Sequence, residues 1–422
     1  MLRKLKTIIQ KIKRKGRRLV NRLINMLSFI SKKLRACLKK LSKILAGRIN
    51  PNLILFDSPF YGDNAKVLSD YILKNKPNYK IIYLIERNQK VQSHERVKYI
   101  RRSYRVGAKE DAPYSLSAYY YATKAKYIFY THSFEWAGKR NENQLIINLW
   151  HGTGYKGSRT IREENVFDFM LVPGDVFIKS KALYYGCEEN RILTLGYPRY
   201  DLYCENNFEK VDTFLKSLSM DLRKNKIVLW LPTFFSDVDL LVYDDPLPYI
   251  YSGLPLIATL QQILDLDKFC GENNIKLIIK KHNFKHAWTP LDGDVDQLKN
   301  ISILSDVGFK NFKVELYELL PLTSGLISDF SSVAVDYLLL EKPLAYVVKD
   351  LKNYEKTRGF VFDDPLIYMP GYHVYTLDHL SAFIFDVAQG VDKYQKLREE
   401  KMPLMHNKTD NYSKRIVDYF NL

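Results

Sequence analysis

Residues 50–85 read NPNLILFDSPFYGDNAKVLSDYILKNKPNYKIIYLI, and the pattern of this stretch decides the fold class. Asn50-Pro51-Asn52 breaks any preceding helix. Residues 53–56 are four consecutive apolar side chains, the mark of a strand buried on both faces. Residues 65–73 return to helical spacing, and 80–85 form a second apolar strand. A strand, a helix and a strand of this kind build a parallel sheet covered on both sides.

The same alternation runs outward from there. Residues 115–124 read as a helix, 127–130 and 145–150 as strands. In the second half 227–231, 275–279, 325–327 and 344–348 are strand-like, with helices expected at 256–269, 314–320 and 333–340. A polar helical segment between Asp201 and Lys224 separates the halves, and 238–253 reads as a long loop. The expected architecture is therefore two doubly wound α/β domains facing a cleft, with ligands at the carboxyl ends of the strands. The boundaries expected are 1–50 for a basic arm, 51–210 and 211–395 for the two domains, and 396–422 for a helical tail packing back on the body.

Charge is distributed unevenly. The 422 residues hold 65 Lys plus Arg against 47 Asp plus Glu, a net of +18. Residues 1–48 contain 17 of those bases and no acid, which leaves 48 bases and 47 acids in the remaining 374 residues. A uniformly basic, histone-like or ribosomal protein is excluded. In the arm, Leu2, Leu5, Ile8, Ile9, Ile12, Leu19, Val20, Leu23, Ile24, Leu27, Ile30, Leu34, Leu38, Leu41 and Leu45 recur mostly three or four residues apart, with Lys and Arg interleaved. An apolar stripe flanked by bases suits an anionic membrane surface. Self-packing or oligomerisation through the arm also accounts for the stripe, whereas nucleic acid accounts only for the charge.

Cys37, Cys187, Cys204 and Cys270 are far apart and form no CxxC, as expected of free thiols in a reducing cytosol. No apolar run approaches the roughly 18–20 residues that span a bilayer. The arm has neither the continuous core nor the cleavage site of a signal peptide. The body is expected at the cytoplasmic face of the membrane.

Four constellations have residues suited to chemistry. In Leu149-Trp150-His151-Gly152-Thr153-Gly154-Tyr155-Lys156-Gly157 a histidine follows an apolar strand, and three glycines then let backbone approach a ligand. His151 is a candidate base and Lys156 a candidate phosphate contact; the spacing is not that of a Walker loop. Ile278-Ile279-Lys280-Lys281-His282-Asn283 brings a second histidine and two ammonium groups to a strand end. His286 lies four residues further on, but with no third ligand near it a zinc site is not expected. Gly325-Leu326-Ile327-Ser328-Asp329-Phe330-Ser331-Ser332 runs into a helix start, a place either for phosphate or for ordinary capping. Arg358, in Thr357-Arg358-Gly359-Phe360, suits bidentate phosphate contact. The loop after the first strand contributes Asp57, Asp63 and Asn64 as candidate acceptor contacts. His94, His373, His379 and His406 have no comparable setting.

Taken together these segments resemble the CDP-glycerol glycerophosphotransferase family of teichoic acid synthesis. His151-Gly152-Thr153 with Lys156 is similar to its His-Gly-Thr-Pro-Leu-Lys signature, and Gly196-Tyr197-Pro198-Arg199-Tyr200-Asp201 to its Gly-x-Pro-Arg-x-Asp segment. Leu231-Pro232-Thr233-Phe234 resembles Ala-Pro-Thr-Trp, and Lys280-Lys281-His282 a Lys-x-His-Pro motif. Ser328-Asp329-Phe330-Ser331-Ser332 with Asp336-Tyr337 and Lys342-Pro343 is similar to the Thr-Asp-Tyr-Ser-Ser block, and Asp350, Tyr354 and Arg358-Gly359-Phe360 complete the series. The order holds from about residue 52 to 390. Gly154-Tyr155 stands for Pro-Leu, Asn283 for proline and Phe234 for tryptophan.

The resemblance implies a GT-B-like fold and transfer of a polyol phosphate from a CDP-activated donor to a membrane-associated, undecaprenyl-diphosphate-linked saccharide. It implies that His151 is the general base and that His282 stabilises the transferring phosphoryl group or the departing CMP. Ser331, Ser332 and the helix start would hold the donor diphosphate, with Lys280 and Arg358. Gly152, Thr153, Lys156, Arg199, Pro232, Thr233, Ser328, Asp329 and Gly359 complete the implied binding set. No tightly bound cofactor or metal is implied, and magnesium assistance in solution is left open. The chain's length is expected of a stand-alone enzyme, which favours a primase. A glycerol or ribitol phosphate polymerase, a capsule polymerase, a nucleotide-sugar glycosyltransferase and a non-enzymatic polymer-binding protein are the alternatives.

Overall fold

The computed structural model describes residues 37, 48–59, 62–86, 91–101, 115–132, 134, 141–157, 166–232, 253–280, 297–304, 314–349 and 351–422. The remainder of the basic arm, Thr233 and the segment with Lys281, His282 and His286 lie outside the described residues.

The first sheet holds β1 (Asn50–Asp57), β2 (Lys80–Ile85), β3 (Val97–Arg101), β4 (Ala125–Tyr130), β5 (Leu145–Asn148), β6 (Phe169–Leu171) and β7 (Ile192–Leu193). Their order is β3-β2-β1-β4-β5-β6-β7. β1 pairs in parallel with β2 and β4, β2 with β3, and β6 with β7. The second sheet holds β8 (Lys226–Trp230), β9 (Ile275–Lys280), β10 (Ile301–Leu304), β11 (Gly325–Ser328), β12 (Leu344–Val347) and β13 (Tyr372–Val374). Its order is β10-β9-β8-β11-β12-β13, and every neighbouring pair is parallel. Numbered within the sheet this is 3-2-1-4-5-6, the dinucleotide-binding order, in which the strand order reverses between β8 and β11.

Helices α1 (Asp63–Asn75), α2 (Leu116–Lys124), α3 (Ile178–Tyr185), α4 (Phe208–Lys216), α5 (Leu260–Glu272), α6 (Leu316–Leu319), α7 (Ser332–Tyr337), α8 (Leu351–Thr357), α9 (Leu377–Gln389), α10 (Gln395–Met405) and α11 (Tyr412–Tyr419) alternate with or follow the strands. The chain thus contains two Rossmann-like α/β domains with parallel sheets, consistent with a GT-B fold. It forms two compact units, residues up to 61 with 72–147, and 62–71 with 148–422. The second unit is held along its length by buried polar contacts. Asp201 accepts N–H bonds from Tyr412 (2.6 Å) and Ser413 (2.9 Å), which seats α11. Lys210 on α4 pairs with Glu318 on α6. Among the described residues no helix is long and apolar enough to cross a membrane.

Where element ends depart from the expected pattern, a local side chain is responsible. The helix expected from 256 begins at Leu260, because Thr259 accepts from the Gln262 N–H and the Gln262 side chain accepts in return from the Thr259 N–H. That reciprocal capping satisfies two N–H groups that a longer helix would have to pair elsewhere. β10 was not expected, since residues 301–304 alternate too briefly to be distinguished from loop. Its entry is fixed by Asp267 of α5, whose carboxylate accepts from the backbone N–H groups of Lys299 (3.1 Å), Asn300 (2.7 Å) and Ile301 (2.8 Å).

This buried carboxylate therefore decides where the β10 edge begins. Asp267→Ala strands three donors and is expected to cost about 3 kcal/mol, while Asp267→Asn costs less because it keeps an acceptor. Urea unfolding of the two variants beside the parent measures the difference.

Candidate active site

The turn that presents His151 is built from two asparagines. β5 stops at Asn148 rather than running to 150, because the Asn148 Oδ1 accepts the Trp150 N–H at 2.8 Å. From α1, the Asn64 Nδ2 donates to the Trp150 carbonyl at 2.9 Å. Held at both its N–H and its C=O, Trp150 adopts a left-handed φ of 56°. For a bulky residue that conformation costs roughly 1–3 kcal/mol and persists only where its surroundings over-determine it. The result is a buried indole followed at once by an exposed His151, the two ring centroids 4.2 Å apart.

The loop then lies backbone to backbone against the second sheet's loops. Gly152 has a φ of 136°, and a Cβ there would lie 2.9 Å from the Arg199 Nη2. A Cβ on Gly154 would lie 2.7 Å from the Ser332 N–H nitrogen, and one on Gly157 2.7 Å from the Phe360 carbonyl oxygen. Side chains are excluded from both places by main chain, which cannot step aside. Lys156 forms an antiparallel bridge to Phe360. The Gly157 N–H donates to the Gly359 carbonyl and the Val361 N–H to the Tyr155 carbonyl, each at 2.9 Å. Tyr155 points inward, its hydroxyl 3.1 Å from that of Tyr346. Thr153 is buried with its hydroxyl 2.6 Å from the Tyr197 hydroxyl.

Arg199 lies beneath this loop and is 3% exposed. It donates to Asp336 of α7 (2.6 Å), to Asp63 (3.0 Å) and to the His151 carbonyl (2.9 Å). Tyr200 and Tyr317 also donate to the Asp336 carboxylate. Burial opposes the charge of Arg199, but Asp336 and Asp63 outweigh it and hold the guanidinium firmly protonated. Arg199, Asp63 and Asn64, grouped from sequence with the substrate contacts, also hydrogen-bond within the protein and so hold the turn that carries His151.

The remaining candidates lie at the strand ends of the second sheet. Ile327 pairs with Trp230 and Trp230 with Ile279, so Ser328, Pro232 and Lys280 come off one edge of three adjacent strands. Ser328 is fully buried and its hydroxyl has no hydrogen-bond partner among the described residues. Asp329 accepts the Ser331 N–H at 3.0 Å, and Ser331 caps α7 without spending its side chain on the cap. Among the described residues neither hydroxyl is spent on a protein partner, and that of Ser331 is only partly buried. Burial pushes the Lys156 ammonium down, with Asp329 opposing that and Arg358 adding to it, so these three charges share one neighbourhood. Arg358 is exposed at the end of α8, where Gly359 (φ 74°) takes the left-handed cap position.

Asn148, Trp150, Tyr317 and Asp336 belong to this arrangement and carried no role in the sequence reading. Asp336 had a visible signal, a lone carboxylate in the otherwise apolar run 333–340, which can be buried only if paired. Asn148 had none, because an asparagine at a strand end is ordinary.

A family model described as CDP-Glycerol:Poly(glycerophosphate) glycerophosphotransferase matches residues 39–421. The chain belongs to this glycerophosphotransferase family. A teichoic acid poly(glycerol phosphate) polymerase from Staphylococcus epidermidis is 26% identical over 388 residues, which is 85% of this chain and 48% of that protein. A teichoic acid ribitol-phosphate primase from Bacillus spizizenii is also 26% identical, over 222 residues, 51% of this chain and 50% of the relative. The chain spans about half the length of these curated relatives. Among solved structures, the wall teichoic acid polymerase TagF superposes with a TM-score of 0.70 at 20% identity, covering 93% of this chain and 94% of that one. At that identity it shows a shared fold.

Within this member of the family the buried Arg199–Asp336 pair sets a sharp expectation. Removing one partner leaves a buried charge, so Asp336→Ala should lose about 3–5 kcal/mol of stability. Asp336→Asn, which keeps the shape and one acceptor, should lose clearly less. Thermal unfolding followed by circular dichroism gives both values.

Proposed function

We propose that this protein transfers glycerol phosphate from CDP-glycerol to a hydroxyl of an undecaprenyl-diphosphate-linked saccharide, releasing CMP. The observation that carries this reading is the backbone contact between the His151 loop and the segments at Ser331-Ser332 and Gly359-Phe360. It sets an exposed imidazole on the same loop system as two uncommitted hydroxyls and the Lys156 and Arg358 cations. In the proposed step the acceptor oxygen attacks the phosphorus that bears glycerol, and His151 takes the hydroxyl proton. The bond from that phosphorus to the bridging oxygen breaks, and its electron pair leaves with CMP. Lys156, Lys280, Arg358 and the hydroxyls of Ser331 and Ser332 offset the charge that spreads over the phosphoryl oxygens. His282, outside the described residues, is assigned to the transferring group or the departing CMP.

Ribitol phosphate is the second reading, supported by a ribitol-named relative at the same 26% identity. The domain division at 51–210 and 211–395, the primase role and the cytoplasmic-face location belong to the same proposal. So does the membrane contact of residues 1–48, which rests on their 17 bases and helical apolar spacing.

Purified protein given CDP-glycerol and lipid-linked disaccharide should release CMP and extend the acceptor by glycerol phosphate. His151→Ala should lower turnover about 10²–10⁴-fold with the circular dichroism spectrum unchanged. A panel of CDP-polyol donors with mass analysis of the product reports which group moves and how many times. Release of a nucleoside diphosphate with sugar transfer would falsify the reaction class. For the arm, deletion of residues 1–48 should abolish co-sedimentation with anionic vesicles; undiminished sedimentation removes the membrane assignment.

A further inference from the structure

Lys181, on α3, has an unusual environment for a lysine. It is half-buried, and among the described residues it makes neither a hydrogen bond nor an ion pair. Its ammonium instead stands 4.8 Å from the centroid of the Trp150 indole and 5.9 Å from that of the Tyr184 ring. Taking an ammonium out of water without a counter-charge is costly, and a ring face recovers part of that cost. The indole it faces is no ordinary core ring. It belongs to the left-handed residue pinned by Asn148 and Asn64, it meets the Tyr185 ring edge-on at 5.8 Å, and it packs against the His151 imidazole at 4.2 Å.

A histidine side chain can occupy several staggered rotamers. A general base works only from the orientation that meets its proton. The Trp150 indole, packed against the imidazole, is one of the surfaces that set this orientation. We propose that Lys181 is a positioning residue for His151: seated on the Trp150 indole, it fixes the surface that sets the orientation of the imidazole. This rests on the reading of His151 as the general base. Burial alone pushes the Lys181 ammonium down to about 8, with no charged neighbour contributing, so it still carries its charge at neutral pH.

The test compares full-length Lys181→Met and Lys181→Arg with the parent. Met keeps the length of the stem and loses the charge, whereas the Arg guanidinium stacks on an indole. Lys181→Met is expected to lower kcat roughly tenfold with the KM for CDP-glycerol unchanged. Its Tm should hold or rise, since an unpaired ammonium is no longer buried, and Lys181→Arg should recover most of the rate. Independently of turnover, the His151 ring resonance in ¹³C-histidine-labelled protein, assigned by its loss in His151→Ala, should shift in Lys181→Met and return in Lys181→Arg. A kcat within twofold of the parent, a rate loss that tracks a lower Tm, or an unmoved resonance overturns the proposal. The two readings fail separately. Full turnover in His151→Ala removes the base assignment and with it the role of Lys181. A silent resonance with His151→Ala inactive removes Lys181 alone.

Discussion

Arg199 and Asp336 are buried together, and much of the second unit is arranged around them. An arginine and an aspartate taken out of water gain from each other only if their remaining donors and acceptors are also met. Here the guanidinium also reaches Asp63 at the start of α1 and the His151 carbonyl, while the carboxylate collects the hydroxyls of Tyr200 and Tyr317. Five segments distant in sequence are thereby held to one point. A hydrophobic pair of equal volume would fill the same space without specifying which loop meets which helix.

The strength of the site lies in what is left unpaired around that point. Below the loop, Arg199, Asp336, Asp63 and the Asn64 amide nitrogen are committed to protein partners. The hydroxyl of Ser328 and the capping side chain of Ser331 are not. The contrast separates scaffold from ligand surface more clearly than burial does, because Thr153, Asn64 and Arg199 share motifs with ligand candidates yet are turned inward.

The sequence was most legible where periodicity is strong. The strand expected at 80–85 is β2 to the residue, and the starts of β9, β11 and β12 match their apolar runs. Some short strands were not legible: β6, β7 and β13 have two or three residues, too few for any period to show, and the four of β10 alternate without an apolar run. At the site, the glycines and His151 could be picked out by residue type. The inward turn of Arg199 could not, since an arginine looks the same in sequence whether it meets a phosphate or an aspartate. Lys181 lay hidden for a related reason. Its partner is the face of a ring thirty-one residues earlier, and no spacing rule covers such a contact.

The paired stretch of residues 155–157 with 359–361 has a mechanical consequence. Two antiparallel backbone rungs make one stiff strip, with His151 a few residues beyond one end and Arg358 beside the other. Such a strip resists shear, so a displacement that begins at Arg358 is passed to the imidazole instead of being absorbed between them. Imidazole and guanidinium are thereby carried on one continuous piece of paired backbone.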